Sequence, residues 1–368
     1  MKNKDRIKYY LKKLVKNIFI LKENLKVRIR IYFFKFKNNQ QIPKLYYGGS
    51  REGDKGGPLV KTKKLKKYYS EYNLSFNIIY LQSNTIYLYD STIECLKKRN
   101  LPIVLNQNGV FYPAWFEGNW EKENLKISKA YHCADCVLWQ SKFSKKASEK
   151  FLGKREGMGD ILYNAIDTEI FIPYKRNLKK TFTFLITGNI NKKSIYRISS
   201  VIDAFNDLLN ENKNVSLKIA GNIEDASTIF KKIKILKLEN NISFIKSYKQ
   251  NDAPQIYGDA DAYITMSYQD NCPSAVIEAM SCGLPILYSS SGGTPELVGK
   301  DSGIGLKVKE SWQNIQVPLK SEIKDGMRKI INHSKEMSEA GRERAIKHFD
   351  IKNWIKKHDE IFQRFIKT

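Results

Sequence analysis

The stretch Asp270-Asn271-Cys272-Pro273-Ser274-Ala275-Val276-Ile277-Glu278-Ala279-Met280-Ser281-Cys282-Gly283-Leu284-Pro285-Ile286 decides the fold. An acidic residue stands just beyond an apolar run at 262–266, and a helix opens at Pro273-Ser274. Pro near the first helical turn and Gly283 just past the last are the residues that start and stop a helix. A second apolar run, 285–288, follows at once, so the segment reads as strand, loop, helix, strand, the unit of a parallel α/β sheet. The backbone N–H groups of Ser274, Ala275 and Val276 then point out of the helix with the positive end of its dipole, an arrangement suited to a diphosphate. Glu278 lies inside the same helix, and the polar turn Ser289-Ser290-Ser291-Gly292-Gly293-Thr294-Pro295-Glu296 carries glycines that allow backbone to approach a ligand closely.

Working outward, short apolar runs alternate with amphipathic ones on both sides. Strands are expected at 45–47, 76–81, 102–105, 136–139 and 160–163, with helices at 59–69 and 91–99. A polar, basic break at 173–180 precedes a second series, with strands at 182–187, 216–220, 242–245, 262–266 and 285–288 and helices at 201–209, 253–257 and 274–281. The tail from Met327 to Thr368 is helical in pattern. The expected organisation is α/β: a basic extension over 1–43, a doubly wound Rossmann-like domain over 44–175, a second over 176–349, and a last helix, 350–368, packing back on the first domain. Ligands of such sheets bind at the loops beyond the carboxyl ends of the strands.

The 368 residues suffice for two domains, and 42% hydrophobic residues with 12% aromatics can fill their cores. A formal charge of +26 draws anions: nucleic acid, acidic lipid head groups or phosphorylated small molecules. The charge is uneven. Over residues 1–44, Lys and Arg outnumber Asp and Glu by fourteen to two. Ile7, Leu11, Leu14, Ile18, Leu21 and Leu25 share one helical face there, with Lys8, Lys12, Lys13 and Lys16 elsewhere around the helix, and 27–36 adds Ile29, Ile31, Phe33 and Phe34 between basic residues. A basic helix with an apolar stripe suits an anionic membrane surface. Packing of the stripe on the protein's own body and a nucleic-acid arm are the alternatives.

No run of 18 or more apolar residues exists, and lysines break every apolar stretch near the start, so a cytoplasmic protein peripheral to the inner face of the membrane is expected. Five scattered cysteines imply no disulfide framework. Cys133 and Cys136 lack a second pair or a histidine at zinc spacing and read as two small buried residues one helical turn apart.

The 270–296 segment resembles the donor-binding signature of family-4 glycosyltransferases, retaining enzymes of GT-B fold. The resemblance implies that Asp270 and Glu278, eight positions apart, hold a nucleotide-sugar donor, the first on hydroxyls of the transferred sugar and the second on the ribose. Aspartate at the first position departs from the family's glutamate and shortens that contact by one methylene. Asn271, Ser274, Ala275, Gly292, Gly293 and Glu296 fall in the same signature as donor-binding residues. Leu162-Tyr163-Asn164-Ala165-Ile166-Asp167 through Pro173 resembles the family's interdomain segment, with Ala165 in place of glycine. Gly188 and the loop to Arg197 resemble the basic loop that faces the diphosphate; Lys192, Lys193 and Arg197 are candidates, with Arg197 favoured for a forked contact and Lys193 as its partner. The glycine loop 53–57, with Gly56 and Gly57, resembles the acceptor-domain loop that closes on the donor.

Family members often carry a histidine at an N-domain strand end; the matching segment here is Leu105-Asn106-Gln107-Asn108-Gly109-Val110-Phe111-Tyr112, so Asn108 becomes the catalytic candidate, able to hold a hydroxyl or phosphate oxygen but not to act as a base. His132 reads as structural. Tyr112, Trp115, Phe116 and Trp120 suit stacking on a sugar ring, a lipid's apolar surface or simply a core. The expectation is sugar transfer from a nucleoside-diphosphate sugar to a saccharide or lipid-linked acceptor in surface-glycan biosynthesis, with no metal and no cofactor. A catalytically inactive GT-B protein and a nucleic-acid-binding protein are the rivals.

Overall fold

The computed structural model describes residues 3–33, 42–53, 56–174 and 181–366. Residues 34–41 of the extension, positions 54–55 of the glycine loop and 175–180 of the expected break therefore lie outside the described residues. The first half comprises α1 (Asn3–Phe33), β1 (Leu45–Tyr46), α2 (Gly57–Tyr68), β2 (Ile78–Gln82), α3 (Asp90–Lys98), β3 (Ile103–Gln107), α4 (Trp120–Cys133), β4 (Cys136–Trp139), α5 (Lys142–Leu152) and β5 (Met158–Ile161). The second comprises β6 (Phe182–Thr187), α6 (Tyr196–Glu211), β7 (Val215–Ala220), α7 (Ala226–Ile235), β8 (Ile242–Ile245), α8 (Ala253–Gly258), β9 (Ala262–Thr265), α9 (Ser274–Ser281), β10 (Ile286–Ser290), α10 (Thr294–Val298), β11 (Gly303–Lys307), α11 (Lys320–Asn332), α12 (Ser334–Phe349) and α13 (Ile351–Ile366).

Each half holds one parallel sheet, and the central strands β2, β3, β4 and β9 are buried on both faces, as helices on two sides require. In the second sheet the order is β11-β10-β9-β6-β7-β8, so the winding reverses between β6 and β9. Phe184, Ile186, Leu217, Ile219 and Ile264 pack under α6, α7 and α11, while Leu185, Tyr263, Ile286 and Tyr288 pack under α8, α9 and α12. Each such side chain withdrawn from water contributes about 1.5–3 kcal/mol.

The first sheet runs β1-β2-β3-β4-β5. Just after α2 the chain adds a short bridge on the other edge of β1, where Glu71 pairs in parallel with Leu45 and Tyr72 N donates to Leu45 O (2.8 Å), before it crosses to β2, so the winding reverses at β1 as in a doubly wound sheet. Helices accordingly cover both faces. Ile79, Leu81, Ile103, Leu105 and Val137 meet α1, α3 and α4, whereas Tyr80, Val104 and Leu138 meet α2 and α13. α13 enters from the other half: α12 ends at Phe349 in the second core, and Ile351, Trp354, Ile361 and Phe362 belong to the first. Backbone bonds pair Ile166 with Phe349 and Ile351 (2.9 and 2.8 Å), so two chain crossings lie side by side.

α1 runs without a break from Asn3 to Phe33, through the apolar stripe and into the basic stretch that follows it. It docks through Glu23, Asn24, Val27, Arg30 and Ile31, with Arg30 Nε donating to Phe76 O (2.9 Å) and Glu23 accepting from the Tyr46 hydroxyl. The stripe of Ile7, Leu11, Leu14, Ile18, Leu21 and Leu25 is on another face, and every member is at least 56% exposed. No helix among the described residues is long and apolar enough to cross a membrane. The Cys133–Cys136 reading is corrected as well: Cys133 ends α4 and Cys136 opens β4, so they share no helical turn. His132 is held by Leu152 O at 2.8 Å.

Candidate active site

α9 starts where it does because Pro273 cannot continue a ladder upstream, and Pro273 O accepts the Val276 N–H (3.1 Å) to close the first turn. No side chain caps that amino end. Ser274, at the first helical position, opens into a cavity of about 220 Å³ between the two halves, at the carboxyl ends of β6 and β7. Gly188, Asn189, Gly221, Tyr248, Gln250, Ser274 and Glu278 form one wall; Gly56, Gly57, Lys61 and Lys64 of the N-terminal half form the other. Ile351 and Trp354 of α13 close it. A reversal of winding order next to a helix amino end is the usual place for a ligand in such sheets.

Glu278 is nearly fully buried at this wall. Its Oε1 accepts from Gln250 Nε2 and its Oε2 from the Tyr257 hydroxyl, both at 2.9 Å. Burial holds its carboxyl above the ordinary range, opposed by the Gln250 bond, the positive Lys64 and the Tyr257 bond. Asp270 opens into a neighbouring cavity with Lys193, Arg197, Tyr268, Asn271 and, from the other half, Trp115. Burial raises its carboxyl too, and Arg197 counters. Arg197 Nε and Asn271 Oδ1 are buried with no hydrogen-bond partner among the described residues, the condition of groups awaiting a polar ligand. Asn189 borders both cavities, so the two carboxylates face adjoining compartments of one interdomain cleft rather than one point. The halves touch closely beside them: a Cβ on Gly109 would lie 2.5 Å from Asn271 Nδ2.

Of the residues expected on the donor, Gly56, Gly57, Gly188, Ser274 and Glu278 line the first cavity, and Lys193, Arg197, Asp270 and Asn271 the second. Ala275, one step along α9, packs against the second core. Gly292, Gly293 and Glu296 line neither cavity. The glycines make room for backbone: a Cβ would lie 2.4 Å from Asp270 O at Gly292 (φ 67°) and 2.0 Å from Asn271 O at Gly293. Glu296 reaches the other half, where Oε2 accepts from Lys142 N and Oε1 from Phe143 N (both 2.8 Å) at the amino end of α5, and the Tyr163 hydroxyl donates at 3.1 Å. Its place in the motif concealed a helix cap delivered across the cleft. Lys193 bonds weakly to Pro113 O (3.4 Å) and stands 3.9 Å from Glu117.

Asn108 also lines neither cavity. Its Oδ1 accepts from Lys61 Nζ (3.2 Å) and Gln140 Nε2, and its Nδ2 donates to Asn84 Oδ1 (2.6 Å), so it holds a lysine of the cavity wall. Lys61 Nζ bonds Asn106 Oδ1 as well (2.9 Å), and Lys64 Nζ donates to Ala165 O (2.7 Å). Both lysines escaped the sequence reading, although they stand one helical turn apart just after the glycine pair. Trp115 is 44% exposed at the second cavity and stacks on Phe111 with ring centres 5.1 Å apart, while Tyr112 is buried against Trp312.

The family Glycosyl transferases group 1 matches residues 168–344, which include α9, Asp270 and Glu278. The N-acetyl-alpha-D-glucosaminyl L-malate synthase of Bacillus anthracis is 26% identical over 145 residues, 37% of this chain and 37% of the relative. Protein CapJ of Staphylococcus aureus is 29% identical over 211 residues, 56% of this chain and 53% of CapJ. The chain therefore spans less than two thirds of either relative's length. Anabaena HepE in complex with UDP superposes with a TM-score of 0.63 at 17% identity, over 84% of this chain and 82% of HepE. The pneumococcal O-GlcNAc transferase GtfA in complex with UDP and GlcNAc gives 0.61 at 13% identity, over 79% and 57% of the two chains. Residues 168–344 are a glycosyl transferases group 1 domain, set against a second parallel α/β domain in the two-domain GT-B arrangement.

Proposed function

We propose that this protein transfers a sugar from a nucleoside-diphosphate sugar to a saccharide or lipid-linked acceptor with retention of configuration, as a family-4 enzyme of surface-glycan biosynthesis. The observation that carries the reading is the uncapped amino end of α9 at Ser274, opening with Glu278 into a cavity faced by Gly56 and Gly57 of the opposite domain. The nucleotide occupies this first cavity, with Glu278 accepting from ribose hydroxyls and the α9 dipole meeting the diphosphate. UDP is the first nucleotide to test, because HepE and GtfA are both seen with it. The transferred sugar lies in the adjoining compartment, where Asp270, Arg197 and Asn271 meet its hydroxyls, and the acceptor ring stacks on Trp115. Rate comes from alignment and from positive charge at the leaving diphosphate, with no protein nucleophile or metal required.

α1 seats the enzyme on an anionic membrane surface, at the inner face of the cell membrane. Its docked face leaves the apolar stripe outward beside Lys8, Lys12, Lys13 and Lys16. Leu14→Asp with Ile18→Asp alters no docked residue and should abolish sedimentation with phosphatidylglycerol vesicles; unchanged sedimentation removes the membrane role. The transfer reading is tested with full-length protein, a panel of UDP-, GDP- and dTDP-sugars and lipid-linked saccharides, products being read by mass spectrometry and anomeric configuration by NMR. Retained product is expected with EDTA present. Inverted product refutes retention, dependence on added divalent metal refutes the metal-free mechanism, and absence of any nucleotide binding refutes the whole reading.

A further inference from the structure

We propose that Lys61 and Lys64 of α2, in the N-terminal domain, are the cationic partners of the donor diphosphate, in place of Lys193 and Arg197 of the C-terminal loop. The inference rests on the donor-site reading above. Among the described residues, Lys61 and Lys64 are the only lysine or arginine side chains lining the cavity that holds Ser274 and Glu278. Lys193 is turned to Pro113 O and Glu117, and Arg197 shares the other cavity with Asp270. The basic end of the loop on which sequence resemblance places the diphosphate contacts therefore faces the neighbouring compartment, while its start, Gly188 and Asn189, lines the donor cavity.

The two lysines are built for an anion. Lys61 is 6% exposed, and neither it nor Lys64 has a carboxylate within ion-pair distance among the described residues. A buried ammonium such as that of Lys61, with no carboxylate in contact, is costly, so an anionic ligand entering here supplies what the fold withholds. Asn106 and Asn108 take two of the three Lys61 N–H donors, and Asn108 is itself clamped by Gln140 and Asn84. The third donor is left for the cavity that Lys61 lines. Lys64 uses one donor on Ala165 O and retains two. Gly56 and Gly57, at the amino end of the same helix, have open space where a side chain would stand. The amino ends of α2 and α9 and the two ammonium groups thus border one cavity from both domains, so that diphosphate binding would tie the domains together.

Burial lowers the Lys61 ammonium to about 7, with Cys272 opposing and Lys64 adding to the shift. Lys64 is lowered by burial and raised by Glu278 and Asp167. His358 of α13 also faces Lys61 and is itself neutral above about 3, while Cys272 is pushed up to about 12. Lys61 therefore changes charge near neutrality, and binding a diphosphate there takes up a proton.

The test is titration calorimetry of the full-length protein with UDP, in buffers of different ionisation enthalpy, for the wild type, Lys61→Met, Lys64→Met and Arg197→Met. Charge-assisted bonds of this kind correspond to roughly tenfold to a hundredfold in affinity. Lys61→Met and Lys64→Met should each weaken UDP by that factor and leave the acceptor KM unchanged, while Arg197→Met leaves UDP affinity within about twofold. The wild type should take up a proton on binding UDP at pH 8. Full UDP affinity in both methionine variants, or a change confined to the acceptor KM, overturns the proposal and leaves the donor-site reading standing. No UDP, ADP or GDP binding by the wild type defeats that reading itself. Should a variant fail to fold, absence of proton uptake by the wild type is sufficient to reject Lys61.

Discussion

Replacing Glu296 separates two roles that one motif position suggests. In the structure its carboxylate accepts two backbone N–H bonds at 2.8 Å from the first turn of α5 and one from the Tyr163 hydroxyl at 3.1 Å. Glu296→Ala removes all three. Loss of a helix cap costs about 0.5–2 kcal/mol, and the favourable placement of a negative charge at a helix amino end about 0.3–1 kcal/mol. Glu296 is partly exposed, so water re-solvates the freed N–H groups and the lower half of the combined range applies, about 1–2 kcal/mol. Because the bonds join the domains, the loss falls on their association as well as on α5. Calorimetry should show a fall of about 2–8 °C in Tm, at about 2–4 °C per kcal/mol for domains of this size. Glu296→Gln, which keeps one acceptor, should lose about half as much. Direct UDP affinity should change less than stability does, since the side chain lines neither cavity. An unchanged Tm together with a large loss of UDP affinity would refute the argument and return Glu296 to the donor.

Glu278→Gln should lower kcat/KM for transfer by about tenfold to a hundredfold, the value of one charge-assisted bond to a ribose hydroxyl, without lowering Tm, because a buried charge is removed; unchanged turnover removes the donor assignment. Gly109→Ala places a methyl 2.5 Å from Asn271 Nδ2 at a φ of 154°, so the domains should fail to close fully and donor KM should rise at near-normal secondary structure by circular dichroism. His358, held between Trp354 O (2.9 Å) and the Tyr80 hydroxyl (3.1 Å), is pushed down to about 3 by burial. Between that value and the ordinary histidine value near 6.5 only the unfolded chain takes the proton, so stability is full above 6.5 and falls by up to about 1.4 kcal/mol per pH unit as pH drops. Urea midpoints from pH 7.5 to 5 should show that slope, and His358→Asn should flatten it.

Much of the architecture was legible because strands buried on both faces are short continuous apolar runs, and Gly, Pro and polar clusters mark their ends. The runs at 182–187 and 242–245 coincide with β6 and β8, and 274–281 with α9. β11, Gly303–Lys307, was not legible: two glycines and a lysine in five residues give an edge strand no apolar signature, and pairing with β10 creates it. The order of the first sheet was hidden as well, since alternation of strand and helix says that strands are parallel but not which neighbour each takes.

The same division runs through the site. The sequence alone determined that an acid, a helix amino end and Glu278 follow one another within a single strand–helix unit, because that spacing is local and the caps are written in Pro273 and Gly283. Only the tertiary structure decided which charges meet there. Lys61 and Lys64 lie some two hundred positions away from α9, and nothing in their local pattern distinguishes them from solvated lysines on a basic helix. Glu296, expected on the donor, is set by the same packing against the amino end of α5 in the other domain. Desolvation and partner choice are set by what the two domains bring against each other, a property of the packed chain and not of any segment within it.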